Sequence, residues 1–318
     1  MSISKIGIIG MGHVGAHVLY TLAAQWFVGD ILIYDLPEKL AKEEAERQDV
    51  LDCSEFFPNR YTIRIAKDIS EFGDRDLIIN CVGDIIALKG THTRLTELSF
   101  NMHAIHTYAE KLRDSGFKGV LINISNPCDV ITKWLADILE LPDGRVFGTG
   151  TGLDTARLKL RLEQATGLSA GSFNAYMIGE HGNEQIAAFS QASVGGVALD
   201  KLPEVNCLLD RPALEKSARE GGWTTYNGKF CTEYAIAQTA VRLARAVLGD
   251  QKCVLAASCK LQGQYGESGL FAGVPAVIGK NGVEKVVELP LTAEEKERFH
   301  KCCDSIRANI EASKELYR

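Results

Sequence analysis

The first half of the chain alternates short apolar runs with longer amphipathic segments. The apolar runs are rich in β-branched residues and lie at Ile3–Ile9, Ile31–Tyr34, Tyr61–Ala66, Asp76–Val82, Val120–Asn123 and Val146–Thr149. Between the first two runs, Val14, Val18 and Leu22 recur every four residues, which is the spacing of one apolar helix face. Strands that alternate with helices in this way predict βαβ units and a parallel sheet that is buried on both faces.

This rhythm changes after about residue 149. A long helix is predicted at Thr232–Leu248, and glycines and prolines divide the stretch from Val254 to Leu289 into strands of an antiparallel meander. The last helix is predicted to start with a capping box of Thr292 and Glu295. Its apolar stripe consists of Phe299, Cys302, Ile306 and Ile310.

The two halves together predict an α/β protein of two domains. A Rossmann-type doubly wound parallel sheet is expected in residues 1–148, and an α+β substrate domain with antiparallel strands in residues 149–318. Ligands of such folds bind at the carboxyl ends of the parallel strands, so we expect the active site in the crevice between the two domains.

Composition and charge narrow the range of partners. The formal net charge is −6, which disfavours nucleic acid and anionic membranes because both require a basic face. The nine cysteines include no Cys-x-x-Cys pair, which indicates reduced thiols and no zinc site. No basic and apolar leader begins the sequence, and no apolar run approaches the roughly 18 residues that span a bilayer. We therefore expect a cytoplasmic protein.

A glycine-rich turn follows the first predicted strand and leads into a helix. Gly10, Gly12 and Gly15 form a Gly-x-Gly-x-x-Gly motif, and Asp35 follows twenty residues after Gly15 at the end of the second strand. Such a turn brings backbone amides to a pyrophosphate, and the carboxylate accepts hydrogen bonds from a ribose diol and repels a 2′-phosphate. The motif therefore predicts NAD as cofactor. The alternative is a structural turn followed by a helix-capping aspartate.

Four further segments combine polar side chains in a characteristic order: Thr93–Leu95, Ser125–Pro127, Leu153–Arg157 and Gly179–Asn183. Their order, and the 27-residue gap between Asp154 and His181, resemble the L-lactate and malate dehydrogenase family over essentially the whole chain. Other stretches resemble the L-2-hydroxyisocaproate dehydrogenase branch of that family, namely Ser115–Phe117, Gly148–Thr151, Gly221–Thr224 and Tyr226–Lys229.

The residue types in these segments suit the reduction of a 2-oxo acid. That reaction needs a hydride at the carbonyl carbon and a proton at its oxygen, and a histidine such as His181 exchanges protons near neutral pH. A buried carboxylate such as Asp154 favours the imidazolium and fixes its tautomer. A guanidinium binds the substrate carboxylate through two hydrogen bonds, and Arg157 follows Asp154 by one helical turn.

The family resemblance implies a role for each remaining candidate. Arg157 would anchor the substrate carboxylate, and Arg94 would polarise the reacting carbonyl when a lid closes. Asn126 would contact both the nicotinamide ribose and the substrate oxygen, and Thr232 would lie near the substrate side chain. Gly83 would belong to the cofactor site at the start of the lid. The resemblance also implies a homo-oligomer, either a dimer or a tetramer.

Each residue also has an ordinary structural interpretation. Asp154 and Arg157 could form a simple helix ion pair, Asn126 could start a turn, and His181 could be a loop histidine. Their coincidence behind a dinucleotide turn favours the catalytic interpretation. No metal site is expected, because no cysteine or carboxylate pattern completes the two histidine pairs with helix spacing, His13–His17 and His103–His106.

Substrate choice is predicted from the lid, Asp84–Thr93. Ile85–Leu88 is apolar and contains neither the glutamine of lactate enzymes nor the extra arginine of malate enzymes. We expect a medium-chain or branched substrate such as 2-oxoisocaproate, since each buried methylene contributes about 0.8 kcal/mol. An L-lactate dehydrogenase acting on pyruvate is the alternative, and a non-enzymatic NAD-binding or structural protein is a remote one. Gly152 stands where the family has an asparagine, a change that the sequence does not explain.

Overall fold

The computed structural model describes residues 4–25, 28–83 and 94–316, with residues 94–96 described by their helical backbone alone. Its strands are β1 (Lys5–Ile9), β2 (Asp30–Tyr34), β3 (Thr62–Ile65), β4 (Leu77–Asn80), β5 (Val120–Asn123), β6 (Val146–Gly148), β7 (Phe173–Asn174), β8 (Met177–Ile178), β9 (Ile186–Ala187), β10 (Ser193–Val194), β11 (Val197–Ala198), β12 (Cys253–Gln262), β13 (Ser268–Gly279) and β14 (Gly282–Val286).

The α-helices are α1 (His13–Ala24), α2 (Leu40–Asp52), α3 (Arg94–Asp114), α4 (Cys128–Leu139), α5 (Gly152–Thr166), α6 (Pro203–Asn206), α7 (Arg211–Lys229), α8 (Tyr234–Leu248) and α9 (Ala293–Leu316). None of these described helices is both long and apolar enough to cross a lipid bilayer.

Nine strands form one sheet in the order β14-β13-β12-β6-β5-β4-β1-β2-β3. The pairs from β6 to β3 are all parallel, which confirms the doubly wound sheet predicted from the sequence. The strand order reverses between β1 and β4, so the chain leaves the sheet in opposite directions there and opens a crevice at the carboxyl ends. The glycine turn after β1 lies at this point.

The apolar runs form these strands because the sheet is covered on both faces. All four residues of β4 and all four of β5 are buried, and each strand ends in an asparagine, Asn80 and Asn123. On α1, Val18 and Leu22 are fully buried and Val14 is partly buried, as the four-residue spacing predicts.

The antiparallel strands of the second half extend the parallel sheet. β12 pairs with β13, β13 pairs with β14, and β12 joins β6 through Ser258 opposite Gly148. The predicted antiparallel meander is therefore confirmed, whereas its continuation of the nucleotide-binding sheet was not predicted from the sequence. Two smaller antiparallel sheets, β11-β10-β7 and β8-β9, complete the second half.

The closing helix α9 agrees with its sequence pattern. The Glu295 amide donates to the Thr292 hydroxyl at 3.2 Å, and the Thr292 amide donates to the Glu295 carboxylate at 3.0 Å, which confirms the capping box. The four residues of the predicted apolar stripe are buried. The predicted helix at Thr232–Leu248 begins two residues later, at Tyr234, because Thr232 and Glu233 belong to the connection from α7.

Candidate active site

The glycine turn after β1 has two positions, Gly10 and Gly15, where the backbone leaves no room for a side chain. Gly10 has φ +91°, and a Cβ added there would lie 2.8 Å from the Val82 amide nitrogen. A Cβ on Gly15 would lie 1.9 Å from the Gly10 carbonyl oxygen, so only glycine lets α1 approach β1 this closely. A Cβ on Gly12 would meet no described atom within 4 Å. The side of the turn at Gly12 therefore has room for a ligand.

Asp35 lies at the tip of β2 and is bound to this turn. One carboxylate oxygen accepts the Met11 amide at 2.7 Å, and the other accepts the Leu36 amide at 2.8 Å. The short 3₁₀ turn that follows has Leu36 rather than Asp35 at its N-cap, so the helix-cap alternative is wrong. Each carboxylate oxygen has a second lone pair for a ribose hydroxyl. The turn and Asp35 thus fit a dinucleotide with an unphosphorylated ribose.

Asn126 lies in the loop between β5 and α4. Its carbonyl oxygen accepts the Asn101 side-chain amide of α3 at 2.6 Å. Its own side-chain oxygen is buried and accepts no hydrogen bond from the described residues. A buried polar atom of this kind normally has a partner, so the Asn126 side-chain oxygen can accept a hydrogen bond from a ligand that brings a donor.

A buried network beneath Asn126 holds the loop in place. The Asn80 side-chain amide donates to Asn123 and to the Ser125 hydroxyl, each at 2.9 Å, and the Tyr108 hydroxyl donates to Asn80 at 3.0 Å. Sequence reasoning gave no role to Asn80, Asn123 or Tyr108, and it named Ser125 only as part of the segment Ser125–Pro127. The available signal was a pair of asparagines that close two adjacent apolar strands, because buried amides need partners of their own.

Asp154 brings two of the other candidates together. It lies in the first turn of α5 with 1% of its side chain exposed. One carboxylate oxygen accepts the His181 Nδ1–H at 2.6 Å, and the other accepts the Arg157 Nη1–H at 2.9 Å. The helix ion pair between Asp154 and Arg157 is therefore present. The same carboxylate also binds His181, so the ion pair is part of the candidate active site. A guanidinium has five N–H donors, so the Arg157 side chain retains donors for a carboxylate.

Helix α7 lies directly against Arg157. A Cβ added to Gly221 would lie 3.1 Å from the Arg157 Cδ, and one added to Gly222 would lie 3.5 Å from its Nη1. Thr232 is half-buried in the connection between α7 and α8. The structure also explains Gly152, since a Cβ there would lie 2.9 Å from a methyl carbon of Thr239. Close packing of α8 therefore excludes a side chain at position 152.

The whole of the predicted lid lies outside the described residues. This applies to Asp84–Thr93 and to the side chain of Arg94, whose backbone begins α3. Gly83 ends the described segment after β4, where an added Cβ would lie 4.0 Å from the Asn101 side-chain oxygen. Gly83 is thus next to the residue that holds Asn126.

No group of three or more metal-ligating side chains occurs in the part of the chain that the structure describes. The Nδ1 atoms of His13 and His17 instead lie 3.4 Å and 3.7 Å from a carboxylate oxygen of Glu233. The same carboxylate accepts a hydrogen bond from Lys229 at 2.5 Å. The two histidines and Lys229 therefore surround one carboxylate, that of Glu233, between α1 and the α7–α8 connection.

Comparison with known proteins matches both halves of the chain. Residues 4–148 match the NAD-binding domain of lactate/malate dehydrogenase, and residues 151–317 match its α/β C-terminal domain. The chain belongs to the lactate/malate dehydrogenase family. It is accordingly an NAD-dependent oxidoreductase that acts on the CH–OH group of a 2-hydroxy acid.

Individual relatives in the family cover the full length. The chain is 38% identical to an L-lactate dehydrogenase of Fusobacterium nucleatum, over 98% of this chain and 97% of that protein. It is 35% identical to L-lactate dehydrogenase 2 of Listeria monocytogenes, over 97% and 98%. A minor L-lactate dehydrogenase from Enterococcus mundtii superposes with a TM-score of 0.92 at 29% identity, covering 98% of each chain. A malate dehydrogenase of Cryptosporidium parvum gives 0.91 at 29%, covering 99% of this chain and 100% of that chain.

These findings establish the family and leave its finer branch open. The relatives described here carry lactate and malate dehydrogenase names, so the resemblance to the L-2-hydroxyisocaproate branch stays a prediction.

Proposed function

We propose that the protein catalyses the reversible reduction of a 2-oxo acid to an L-2-hydroxy acid, with His181 as the proton donor. The observation that carries this proposal is the pair of contacts made by the buried Asp154, to His181 on one side and to Arg157 on the other. One carboxylate thereby links a proton-transferring group to a group that binds carboxylates, which are the two functions that a 2-oxo acid requires.

Each of these residues has a defined task in the proposed reaction. Asp154 accepts Nδ1–H, so the proton that His181 transfers is the one on its other ring nitrogen, Nε2. The negative charge of Asp154 stabilises the imidazolium until it donates that proton to the substrate oxygen. Arg157 orients the substrate through its carboxylate, and Asn126 donates or accepts a hydrogen bond at the reacting oxygen or at the cofactor ribose. Arg94 is proposed to polarise the carbonyl, and Thr232 is proposed to contact the substrate side chain.

The cofactor would be held by residues at the carboxyl edge of the parallel sheet: Gly10, Gly12, Gly15, Asp35, Gly83 and Asn126. When bound, NADH supplies the hydride, and the protein's residues supply binding, orientation and the proton. Asp35 selects NAD over NADP because a 2′-phosphate would face its carboxylate.

Pyruvate and L-lactate are the best supported substrate pair, because the relatives described above are named L-lactate dehydrogenases. A larger aliphatic 2-oxo acid is the second candidate. The sequence Ile85–Leu88 in the lid is apolar, which suits a larger aliphatic side chain. Oxaloacetate is disfavoured, because the lid sequence contains no arginine for a second carboxylate before Arg94.

A comparison of kcat/KM for pyruvate, 2-oxoisocaproate and oxaloacetate with NADH tests these proposals. Turnover of pyruvate at least tenfold faster than that of 2-oxoisocaproate assigns the protein as an L-lactate dehydrogenase, and the reverse ratio supports the medium-chain alternative. The absence of NADH oxidation with all three acids would contradict the proposed reaction.

We further propose that the chain is a cytoplasmic homo-oligomer, either a dimer or a tetramer. We also propose that the boundary between its two domains lies between residues 148 and 149. Light scattering coupled to size-exclusion chromatography measures the assembly directly. A mass of one chain, 34.7 kDa, would refute the oligomer.

A further inference from the structure

Asp129 is a second buried carboxylate that contacts the histidine loop. It lies in the first turn of α4 and is 2% exposed. One of its oxygens accepts the backbone N–H of His181 at 2.9 Å, and the other accepts the hydroxyl of Ser258 at 2.5 Å. His181 is therefore held twice, through its ring by Asp154 and through its main chain by Asp129.

Ser258 is itself fixed by the fold. It is fully buried on β12 and is the residue that pairs with Gly148 of β6, where the antiparallel strands join the parallel sheet. A chain of hydrogen bonds thus runs from this junction through Asp129 to the main chain of His181. The loop before His181 is attached to the same strands, because Gly179 pairs with Gly273 of β13.

We propose that Asp129, oriented by Ser258, is a positioning residue that holds His181 in place for proton transfer and does so only in its ionised form. The inference rests on the proposed role of His181. An ionised carboxylate accepts hydrogen bonds at both oxygens and binds an N–H about twice as strongly as a neutral group does. A protonated Asp129 has an O–H on one oxygen, so its hold on the His181 amide weakens.

The surroundings of Asp129 place its titration in an accessible pH range. Burial raises the pKa of Asp129 to about 6, opposed by the Ser258 hydroxyl, the His181 amide and the His181 charge, and reinforced by the charge of Glu180. Three thiols also interact electrostatically with Asp129, those of Cys128, Cys259 and Cys303. Burial raises the pKa of each thiol, so they stay neutral near pH 6. The charged groups around Asp129 are thus His181 and Glu180.

This arrangement predicts that kcat for reduction falls at low pH. We call this fall the acid limb of the pH profile. Protonation of His181 favours reduction, so its titration alone would make kcat rise as the pH falls. The loss of the Asp129 charge instead lowers kcat, because the His181 amide is then held less strongly. We therefore expect kcat for reduction to fall below about pH 6, while KM for the 2-oxo acid changes by less than about twofold because Arg157 is not involved.

Two variants and a matched control test the proposal in full-length protein between pH 5 and 8. Asp129→Asn keeps an oxygen for the His181 amide and a nitrogen for Ser258 but carries no charge, so kcat should be reduced roughly tenfold at pH 7.5 and the acid limb should disappear. Ser258→Ala removes a donor to the ionised carboxylate, so the limb should move upward by about one pH unit. The control is Ser313→Ala, another fully buried serine, which bonds Trp134 and lies outside the site.

The proposal stands if the limb disappears in Asp129→Asn, shifts in Ser258→Ala and stays in place in Ser313→Ala. Any other combination overturns it. If Asp129→Asn does not fold, as judged by circular dichroism, the proposal is tested by Ser258→Ala alone. An upward shift of its acid limb then supports the proposal, and an unshifted limb overturns it. A fluorescence titration with NADH should give the same Kd for all variants, which separates positioning of His181 from loss of the cofactor. A wild-type protein that reduces no 2-oxo acid would instead contradict the proposed function.

Discussion

Asp154 and Glu43 are both buried carboxylates, and they differ in the partners that surround them. Asp154 binds His181 and Arg157, two groups that can neutralise its charge. Glu43 on α2 is 2% exposed, and one of its oxygens accepts no hydrogen bond from the described residues. Burial and the nearby charge of Asp35 raise the pKa of Glu43 to about 7. The sequence alone cannot distinguish these two carboxylates, because the difference lies in what surrounds each one.

Replacement of Asp154 by asparagine should reduce kcat by about a hundredfold or more. An amide can donate to Nδ1, which favours the wrong tautomer of His181, and it no longer stabilises the imidazolium. Steady-state rates of NADH oxidation measure the loss. The NADH Kd from fluorescence should be unchanged, and a variant with rates within about threefold of the wild type would contradict the role of Asp154.

Replacement of Glu43 by glutamine should change how stability depends on pH. The pKa of Glu43 is raised from 4.5 to about 7, so the folded protein keeps a proton that the unfolded chain releases, and stability falls as the pH rises through this range. Glu43→Gln removes that loss and should raise the free energy of unfolding at pH 8 by about 2 kcal/mol, with little change at pH 4.5. Urea unfolding at both pH values measures this. Glu44→Gln, its exposed neighbour, is the control and should show no such pH-dependent gain.

At the scale of elements, the turn between β1 and α1 contains two glycines that close packing requires and one that it does not. Gly10 and Gly15 are fixed by contacts within the protein, whereas Gly12 borders open space. The three look equivalent in the sequence motif. Only the packing of α1 against β1 distinguishes them, because it decides which added Cβ would meet another atom.

Substitution of single glycines by alanine should therefore separate binding from stability. Gly12 has φ −69°, which alanine adopts without strain, so Gly12→Ala should raise the NADH Kd roughly tenfold and leave the thermal midpoint unchanged. Gly15→Ala places a Cβ against the Gly10 carbonyl and should lower the midpoint by several degrees, corresponding to about 2 kcal/mol. Fluorescence titration and thermal unfolding check the pair. An unchanged NADH Kd in Gly12→Ala would contradict a ligand beside Gly12, and equal effects of the two substitutions on the thermal midpoint would contradict the open space there.

At the scale of the whole molecule, one sheet runs through both predicted halves of the chain. The junction is narrow, since β12 meets β6 at Ser258 and Gly148. A Cβ on Gly148 would lie 2.7 Å from the Cys128 Sγ and 2.9 Å from the Ser258 Cβ. This close packing joins α4, which carries Asp129, to the antiparallel strands.

The shared sheet predicts one cooperative unfolding transition. Circular dichroism and tryptophan fluorescence should give coincident urea curves at a fixed protein concentration, in the wild type and in Gly148→Ala. Gly148→Ala should be less stable by about 2 kcal/mol because its Cβ has no space. Gly228→Ala on α7, where a Cβ would meet no described atom within 4 Å, should be neutral or more stable by up to about 1 kcal/mol. Separate transitions for the two probes would indicate halves that unfold independently.

The sequence by itself determined the local features of this protein. Apolar runs set the parallel strands, the spacing of Val14, Val18 and Leu22 set the buried face of α1, and the glycine motif with Asp35 indicated a dinucleotide, since each depends on neighbours within a few residues. Tertiary structure decided what distant segments do to one another. It brought Asp129 and Ser258 to the main chain of His181, raised the pKa of Glu43, and merged the antiparallel strands with the parallel sheet. Burial and long-range hydrogen bonds depend on the whole fold, so no local pattern encodes them.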